Sequence, residues 1–202
     1  MSRTLFTSRH GGDLKNSENR ESLRDFLSLE NLVFMNQSHS DVIIKTDDGI
    51  GEYEADALIT MTKGVGLAVM VADCLPVLLS SSTAVAAVHA GRIGMSNQIV
   101  IKTVQKMMAL GCRDIVAVVG PSICADCYEV SEEMYSEIIA QIPASATTPQ
   151  RHALDLRSGV SSQLESIGVS VSHVRVCTRE SGNHFSFRRG GEMARQAGVI
   201  SL

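Results

Sequence analysis

The sequence predicts an α+β fold, in which one domain with mixed sheets spans residues 1–202. The chain has 202 residues, of which 44% are hydrophobic, and this is enough to bury one sizeable core. No linker-like tract marks a boundary between two domains. Strand-like and helix-like segments alternate irregularly, and no glycine-rich nucleotide loop follows a strand. These observations favour a mixed-sheet domain over a doubly wound one.

The first part of the chain predicts one helix among short strands. A helix is expected over 17–28, because Leu23, Phe26 and Leu27 share one face and Ser17 is a candidate N-cap. Short apolar runs bounded by turn residues predict the strands. These strands cover 4–7, 32–35 and 42–44. Between the last two lies a polar break that contains His39.

The stretch 64–94 organises the rest of the chain. Two apolar runs in it, separated by a Ser/Thr turn, predict neighbouring buried strands. The first run contains Asp73 and Cys74 and is interrupted by Pro76, which cannot donate a ladder hydrogen bond. The second run ends in His89. A carboxylate, a thiol and an imidazole therefore lie where strands end, as a metal or nucleophile site requires, and each would cost about 1–3 kcal/mol if buried without a partner.

The second half of the chain predicts three helices and two strands. After residue 94 the apolar residues take helical spacing, with Val100 and Val104 on one stripe and Gly111 as the terminator. Further helices are predicted at 131–141 and 155–167, and strands at 115–119 and 171–177. Residues 142–150 predict a mobile loop.

Composition narrows the classes of partner. The net charge is −4, the pI is near 5.8, and no basic cluster exceeds Arg188-Arg189, so we expect no nucleic-acid partner. No run has the length of a membrane span and the N-terminus has no apolar signal-peptide core, so we expect a cytoplasmic protein with no membrane partner. Five cysteines, an odd number, fit reduced thiols better than a disulfide framework. We expect a monomer.

Three other groups of residues carry weaker signals. Arg188 and Arg189 precede a glycine pair, and paired guanidinium groups match phosphate oxygens, although exposed arginines without a ligand explain the same pattern. Arg9 begins an Arg-His-Gly-Gly turn that could be a functional loop or a plain turn. Cys124 and Cys127 form a Cys-x-x-Cys pair, but the sequence has no second such pair, so we assign no site to it.

Seven ordered blocks of residues resemble the laccase-domain family. They are Asn-Gln-Ser-His-Ser at 36–40, Glu-Ala-Asp-Ala-Leu at 54–58, Ala-Asp-Cys-Leu-Pro-Val-Leu at 72–78, Val-Ala-Ala-Val-His-Ala-Gly at 85–91, Gly-Pro-Ser-Ile at 120–123, Cys-Tyr-Glu-Val at 127–130 and Phe-Ser-Phe-Arg-Arg at 185–189. The resemblance runs from about Leu5 to the C-terminus. Members of this family were labelled polyphenol oxidases and are now understood as zinc-dependent purine nucleoside phosphorylases with adenosine deaminase activity.

The resemblance implies a single four-layer α/β/β/α domain with one zinc ion. Carried over motif by motif, the ligands are His39, Cys74 and His89. Two imidazoles and one thiolate leave the fourth tetrahedral position open, which is the pattern of catalytic rather than structural zinc.

The implied substrates are purine nucleosides (adenosine, inosine, guanosine and methylthioadenosine) together with phosphate. Zinc would activate water to attack C6 of adenosine and release ammonia. Phosphorolysis also requires a clamp for phosphate, for which Arg9, Arg188 and Arg189 are the candidates. Asp73 is a candidate for moving a proton or orienting a ligand. Neighbouring residues on a strand point to opposite faces, so Asp73 reaches the site beside Cys74 only if the strand breaks there.

This chain departs from the family pattern around the ligands. The family usually continues His-Ala-Gly with Trp-Arg-Gly, whereas this chain has Arg-Ile-Gly at 92–94, and its Gln-Val-His-Gly block is Gln-Ser-His-Ser at 37–40. The departures therefore affect substrate identity and activity more than metal binding.

Three alternative functions stay open from the residues alone. A copper-binding polyphenol oxidase needs many histidines, and only two of the six lie in matching motifs, although copper can bind such a site adventitiously. A metal-free hydrolase would use Cys74 as nucleophile with a histidine base. A non-catalytic metal-binding protein would gain stability from the metal without turning over a nucleoside.

Overall fold

Two mixed β-sheets and six α-helices make up the protein, in a computed structural model that describes residues 2–148 and 151–202. The strands are β1 (Arg3–Phe6), β2 (Asn31–Asn36), β3 (Ile43–Lys45), β4 (Tyr53–Glu54), β5 (Ala57–Thr60), β6 (Val65–Val71), β7 (Leu75–Ser80), β8 (Val85–Ala90), β9 (Val116–Val119), β10 (Ser170–His173) and β11 (Gln196–Ser201). The helices are α1 (Ser17–Phe26), α2 (Arg92–Ser96), α3 (Ile99–Ala109), α4 (Glu132–Gln141), α5 (Leu156–Ser166) and α6 (Phe187–Gly190).

One sheet has five strands and the other has six. The five-stranded sheet has the order β1-β11-β6-β2-β4, and the six-stranded sheet has the order β10-β9-β7-β8-β5-β3. Each contains parallel and antiparallel pairs: β2 is parallel to β6, for example, whereas β7 and β8 are antiparallel. The α+β class with mixed sheets is therefore confirmed.

Three hydrophobic clusters arrange these elements in four layers. Between the sheets, Leu67 and Val69 of β6 pack with Leu78 of β7 and their neighbours. The other face of β6, with Ala68, packs against α1. The outer face of the six-stranded sheet packs against α3, α4 and α5, with Val104 among the buried residues. Alternate residues of each central strand thus face different cores, as the period of two in a strand requires.

The apolar run before the Ser/Thr turn forms two strands in different sheets. β6 ends at Val71 in the five-stranded sheet and β7 begins at Leu75 in the six-stranded sheet, so the chain crosses between the sheets at 72–74. Asp73 makes this crossing with a φ of 92°. The sequence did not show the division because both strands are buried on both faces and lack alternation.

Other predicted elements differ from the structure mainly at their ends. Helix α1 begins at Ser17, but the N-cap is Asn16, whose side chain accepts a hydrogen bond of 2.8 Å from the Glu18 N–H. The strand expected at 171–177 ends at His173. The loop expected at 142–150 contains a 3-10 helix at Pro143–Ser145, and residues 149 and 150 lie outside the described part of the chain. Within the described ranges, no helix combines the length and apolar sequence needed to cross a membrane.

Candidate metal centre

Three potential metal ligands meet where strands of both sheets end. His39 follows β2, Cys74 lies in the crossing between β6 and β7, and His89 is the penultimate residue of β8. Their ligand atoms all lie within 4.8 Å of one another, and Cys74 Sγ is 3.9 Å from His39 Nε2. On a tetrahedral zinc ion, sulfur and nitrogen ligands lie roughly 3.5 Å apart, given Zn–S and Zn–N distances of about 2.3 and 2.0 Å. The structure therefore brings the three predicted ligands to within a short adjustment of metal coordination.

A buried carboxylate holds the loop that carries His39. Asp56 accepts hydrogen bonds from the backbone N–H groups of Ser38 (3.2 Å), His39 (3.1 Å) and Ser40 (2.6 Å) and from the Ser40 hydroxyl (2.8 Å). This turn holds His39 at a φ of 61°. Burial raises the pKa of Asp56, but the hydrogen bonds from His89 and Ser40 outweigh burial and hold it well below its usual range. Asp56 is therefore ionised and fixes the turn.

The same carboxylate orients His89. His89 Nδ1 and Asp56 Oδ1 are 2.7 Å apart, and both side chains are almost fully buried. A carboxylate can only accept, so Nδ1 keeps its proton, and Nε2, which gives up its proton when a metal binds, is the metal-binding atom. Burial lowers the pKa of His89, but the hydrogen bonds to Asp56 and Cys74 raise it more, to about 9. A carboxylate behind a ligating histidine is the usual arrangement at metal centres.

The thiol of Cys74 is prepared to act as a thiolate. Burial raises its pKa, but hydrogen bonds from His39 and His89, together with their charges, lower it more, to about 6. A thiolate is the form of cysteine that binds metals. Two imidazoles and this thiolate thus fit zinc in chemistry as well as in spacing.

Gly91 leaves the space that these ligands occupy. A Cβ at this position would lie 3.0 Å from Cys74 Sγ and 3.3 Å from the Cδ2 of His39. The chain turns here from β8 into α2, so the turn passes directly beside the ligands. Any residue larger than glycine would crowd them.

Asp73 lines the cavity beside Cys74 because the strand breaks between β6 and β7. Such a break is the condition under which neighbouring residues can reach the same site. Its Oδ1 accepts a hydrogen bond of 2.6 Å from the Thr178 hydroxyl, and its Oδ2 accepts one of 2.7 Å from the Arg188 N–H. Both oxygens are thus engaged in holding the segment around 178–190. The roles considered for Asp73, moving a proton or orienting a ligand, stay predictions.

A cavity of about 660 Å³ opens onto the three ligands. This volume suits a small organic ligand. Arg188, Lys15 and Arg195 supply positive charge to its lining, and Phe187 and Tyr128 supply aromatic surface. The guanidinium of Arg188 lies 4.7 Å from the centre of the Tyr128 ring, and its Nη1 donates to the Glu129 carbonyl at 2.8 Å. These contacts fix Arg188 at the cavity wall.

Arg9 and Arg189 are absent from the described cavity lining. The Nη2 atoms of both donate to the carboxylate of Glu192, at 2.8 Å from Arg9 and 3.2 Å from Arg189. Arg9 also lies over the Phe185 ring at 4.5 Å, and Arg189 donates to the Ser181 carbonyl at 2.7 Å. This placement does not support a phosphate clamp at these two positions, because internal partners already take their guanidinium groups.

Two residues that contribute to the site, Asp56 and Tyr128, have no role predicted from the sequence. Asp56 lies in a matching block, and the sequence signal that could identify it is an acidic residue between two alanines before an apolar run. Tyr128 lines the cavity beside Arg188. Burial and the charge of Cys74 raise the pKa of the Tyr128 hydroxyl, which Arg188 and Arg92 only partly offset, so it stays protonated at neutral pH.

Known proteins of similar sequence and fold cover most of this chain. The chain is 42% identical to a purine nucleoside phosphorylase of Corynebacterium glutamicum, over 92% of this chain and 81% of that one. It is 41% identical to a purine nucleoside phosphorylase of Streptomyces griseus, over 91% and 80% of the two chains. The crystal structure of Neisseria meningitidis protein NMB0706 superposes with a TM-score of 0.82 at 30% identity, covering 100% of this chain and 94% of that one.

A family model covers almost the whole sequence. The model described as "Multi-copper polyphenol oxidoreductase laccase" matches residues 4–202. The match includes all three clustered ligands and the acidic residue behind them. The chain belongs to this laccase-like family.

Proposed function

We propose that this protein is a zinc-dependent purine nucleoside phosphorylase that also deaminates adenosine. Relatives at about 40% identity carry the name purine nucleoside phosphorylase, which supports nucleosides and phosphate as substrates. The observation that carries the proposal is the convergence of His39, Cys74 and His89 at a cavity of suitable size. Three protein ligands leave one coordination position for water or substrate. Bound zinc would supply Lewis acidity, polarising the substrate and activating water for attack at C6.

Phosphorolysis exchanges one bond at the ribose for another. An oxygen of phosphate forms a bond to C1′ while the bond from C1′ to N9 of the purine breaks, and the purine leaves with the electron pair. Arg188 is the best-placed residue to bind phosphate, because it lines the cavity and is held by Tyr128 and Glu129. Lys15 and Arg195 add positive charge to the same cavity.

The departing purine requires a proton or hydrogen-bond donor and an apolar surface. Tyr128 keeps its hydroxyl proton at neutral pH, since its pKa is raised, and can donate a hydrogen bond to the base. Phe187 is half exposed at the cavity, where a base can stack on it. Stacking of a base on an aromatic ring contributes about 1–3 kcal/mol.

Product analysis on purified protein tests the proposal. Adenosine, inosine and guanosine are incubated with and without phosphate, and the metal content is measured on the same samples. We expect free base and ribose 1-phosphate only when phosphate is present, and inosine with ammonia from adenosine in either case. Cys74→Ala should lose turnover together with the zinc of the His-Cys-His centre. Cys112→Ala, which removes a buried cysteine outside the site, should lose neither.

Other outcomes of this experiment would support other functions. Full turnover by Cys74→Ala, with as much zinc bound as in wild type, would remove the proposed mechanism. Activity of metal-free protein would favour hydrolysis by a Cys74–His39 pair, which the 3.9 Å separation and the low pKa of Cys74 also permit. Copper-dependent oxidation of phenols would favour the oxidase. Bound zinc without any nucleoside turnover would favour a non-catalytic protein.

A further inference from the structure

We propose that Cys124, Cys127, Cys177 and Glu180 form a second metal site, which takes zinc as a structural ion and joins two loops at the wall of the cavity. The Cys-x-x-Cys pair alone does not predict a metal site. The structure adds Cys177 and Glu180, about fifty residues further along the chain, as its partners. This inference does not depend on the reaction proposed above.

The geometry brings four potential ligands together. Three sulfur atoms and a carboxylate oxygen all lie within 4.8 Å of one another. Cys127 Sγ is 3.4 Å from Glu180 Oε1, and the Cys124 N–H donates to Cys177 Sγ at 3.4 Å. All three cysteines are free thiols, and Cys127 is buried. The cluster is thus reduced, compact and partly shielded from solvent.

The donor set favours zinc in a structural role. Thiolates are preferred ligands of zinc, and two cysteines separated by two residues are the usual spacing of a zinc-binding turn. Three sulfurs and one carboxylate complete a tetrahedron and leave no open position, in contrast to the His-Cys-His centre. The ion would therefore stabilise structure without taking part in catalysis.

A bound cation would neutralise the acidic side chains of the cluster. The three cysteines supply thiols, which lose their protons when they bind a cation, and Glu180 supplies a carboxylate. Four ionised ligands would exceed the charge of one divalent ion. Arg157 and Arg175 line the groove beside Cys124, where they can offset the excess. The Arg179 side chain donates to the Cys127 carbonyl at 3.2 Å.

The site would join two loops beside the cavity wall, of which the first supplies Ile123 to the lining and the second leads into the lining residues Phe187 and Arg188. Cys124 and Cys127 lie in the loop after β9, and Cys177 lies in the loop after β10. The loops already meet in a bridge between Ser122 and Cys177. The first loop also supplies Ile123, whose N–H donates to the Asp73 carbonyl at 2.9 Å, and the second supplies Thr178, which donates to the Asp73 carboxylate. An ion between the loops would fix this wall.

Zinc stoichiometry of the full chain tests the proposal. Protein is prepared anaerobically under reducing conditions, loaded with zinc and freed of excess metal by gel filtration. Wild type and Cys112→Ala should hold two zinc ions per chain. Cys74→Ala should hold one, and so should Cys124→Ser/Cys177→Ser. Cys74→Ala is the decisive variant, because its second cluster is intact and does not depend on the folding of a damaged site.

Cobalt provides a second measurement that reports the ligands themselves. Cobalt added to zinc-free Cys74→Ala should give a strong thiolate-to-cobalt charge-transfer band and the visible bands of a tetrahedral site. Both should vanish when Cys124→Ser/Cys177→Ser is added to Cys74→Ala. Absence of zinc from Cys74→Ala, or cobalt binding without a thiolate band, would overturn the proposal. A Cys124–Cys127 disulfide formed in the anaerobic protein would overturn it as well.

Discussion

The carboxylate of Asp56 touches two of the three ligand-bearing segments of the His-Cys-His centre. It receives hydrogen bonds from the turn around His39 and from the ring of His89. In Asp56→Asn, an amide NH2 would face groups that are themselves donors, so the turn loosens and the tautomer of His89 is no longer fixed. We expect the affinity for zinc to fall about 10- to 100-fold, measured by competition with a chelator.

Asp41 provides a matched control for the change at Asp56. Asp41 is exposed and pairs with Lys102 at the surface, so Asp41→Asn makes the same change of charge without touching the centre. Its zinc affinity should equal that of wild type. An unchanged affinity in Asp56→Asn would mean that the carboxylate is not needed to orient the ligands.

The ionisation of Cys74 gives a prediction for the metal-free protein. The pKa of the thiol is about 6 in the folded chain against an ordinary value of 9.0, so Cys74 should react with iodoacetamide with a midpoint near pH 6. Because folding lowers the pKa of Cys74, its thiolate stabilises the fold fully above pH 9, and this contribution is lost as the pH falls through 6. His89, with its pKa raised to about 9, contributes fully below 6.5 and loses its contribution as the pH rises through 9.

Rates of alkylation at individual cysteines, followed by peptide mass spectrometry, check this prediction. Cys127, whose pKa is raised to about 12, should stay slow over the same range. Zinc should protect Cys74. His39→Ala should move the midpoint toward 9, because it removes one of the hydrogen bonds that stabilise the thiolate. A wild-type midpoint near 9 would contradict the proposed thiolate.

The metal ligands can be predicted from sequence motifs, but the residues that contact them cannot. His39, Cys74 and His89 lie in motifs that can be matched one by one, and the structure brings them together. The carboxylate of Glu192 takes the guanidinium groups of Arg9 and Arg189, a pairing across most of the chain. Local patterns contain no information on such distant pairings, and the same limit hid the roles of Asp56 and Cys177.

At the scale of elements, apolar runs revealed that strands exist but not which sheet they join. β6 and β7 read as one run because both are buried on both faces. β11 was not predicted, although it lies between β1 and β6, because Gln-Ala-Gly-Val-Ile-Ser contains only two large apolar residues. β11 takes its place in the sheet by pairing with strands that are remote in the sequence. The β propensity of its own residues does not predict such pairing.

At the junction between β8 and α2, Gly91 lets the chain pass close to the metal ligands. In Gly91→Ala, the new methyl group would lie 3.0 Å from Cys74 Sγ, while the backbone φ of −76° accepts alanine without strain. We expect zinc affinity to fall on the order of 10-fold, with little change in the free energy of unfolding. Gly182→Ala is the control, since nothing lies within 4 Å of the added Cβ. Zinc affinities from chelator competition and denaturant unfolding curves separate the two effects, and full affinity in Gly91→Ala would show that the ligands can move aside.

At the scale of the whole molecule, the His-Cys-His centre lies where the two sheets meet. His39 follows a strand of the five-stranded sheet, and His89 belongs to the six-stranded sheet, with Cys74 in the crossing between them. The inter-sheet core of apolar side chains ends at this point, and Cys74 packs against it. An ion held by all three ligands would therefore join the sheets as well as serve the reaction.

Removal of the metal should consequently lower the stability of the entire fold. A ligand at 100 times its Kd stabilises the native state by about 2.7 kcal/mol. For a chain of this length, each kcal/mol shifts Tm by about 2–4 °C, so zinc at that concentration should raise Tm by roughly 5–11 °C. The measurement is a thermal melt of Cys124→Ser/Cys177→Ser with and without zinc, because this variant leaves only the His-Cys-His centre to respond. Adding Cys74→Ala to it should abolish the shift, and a Tm that zinc leaves unchanged before that addition would mean that the centre does not hold the sheets together.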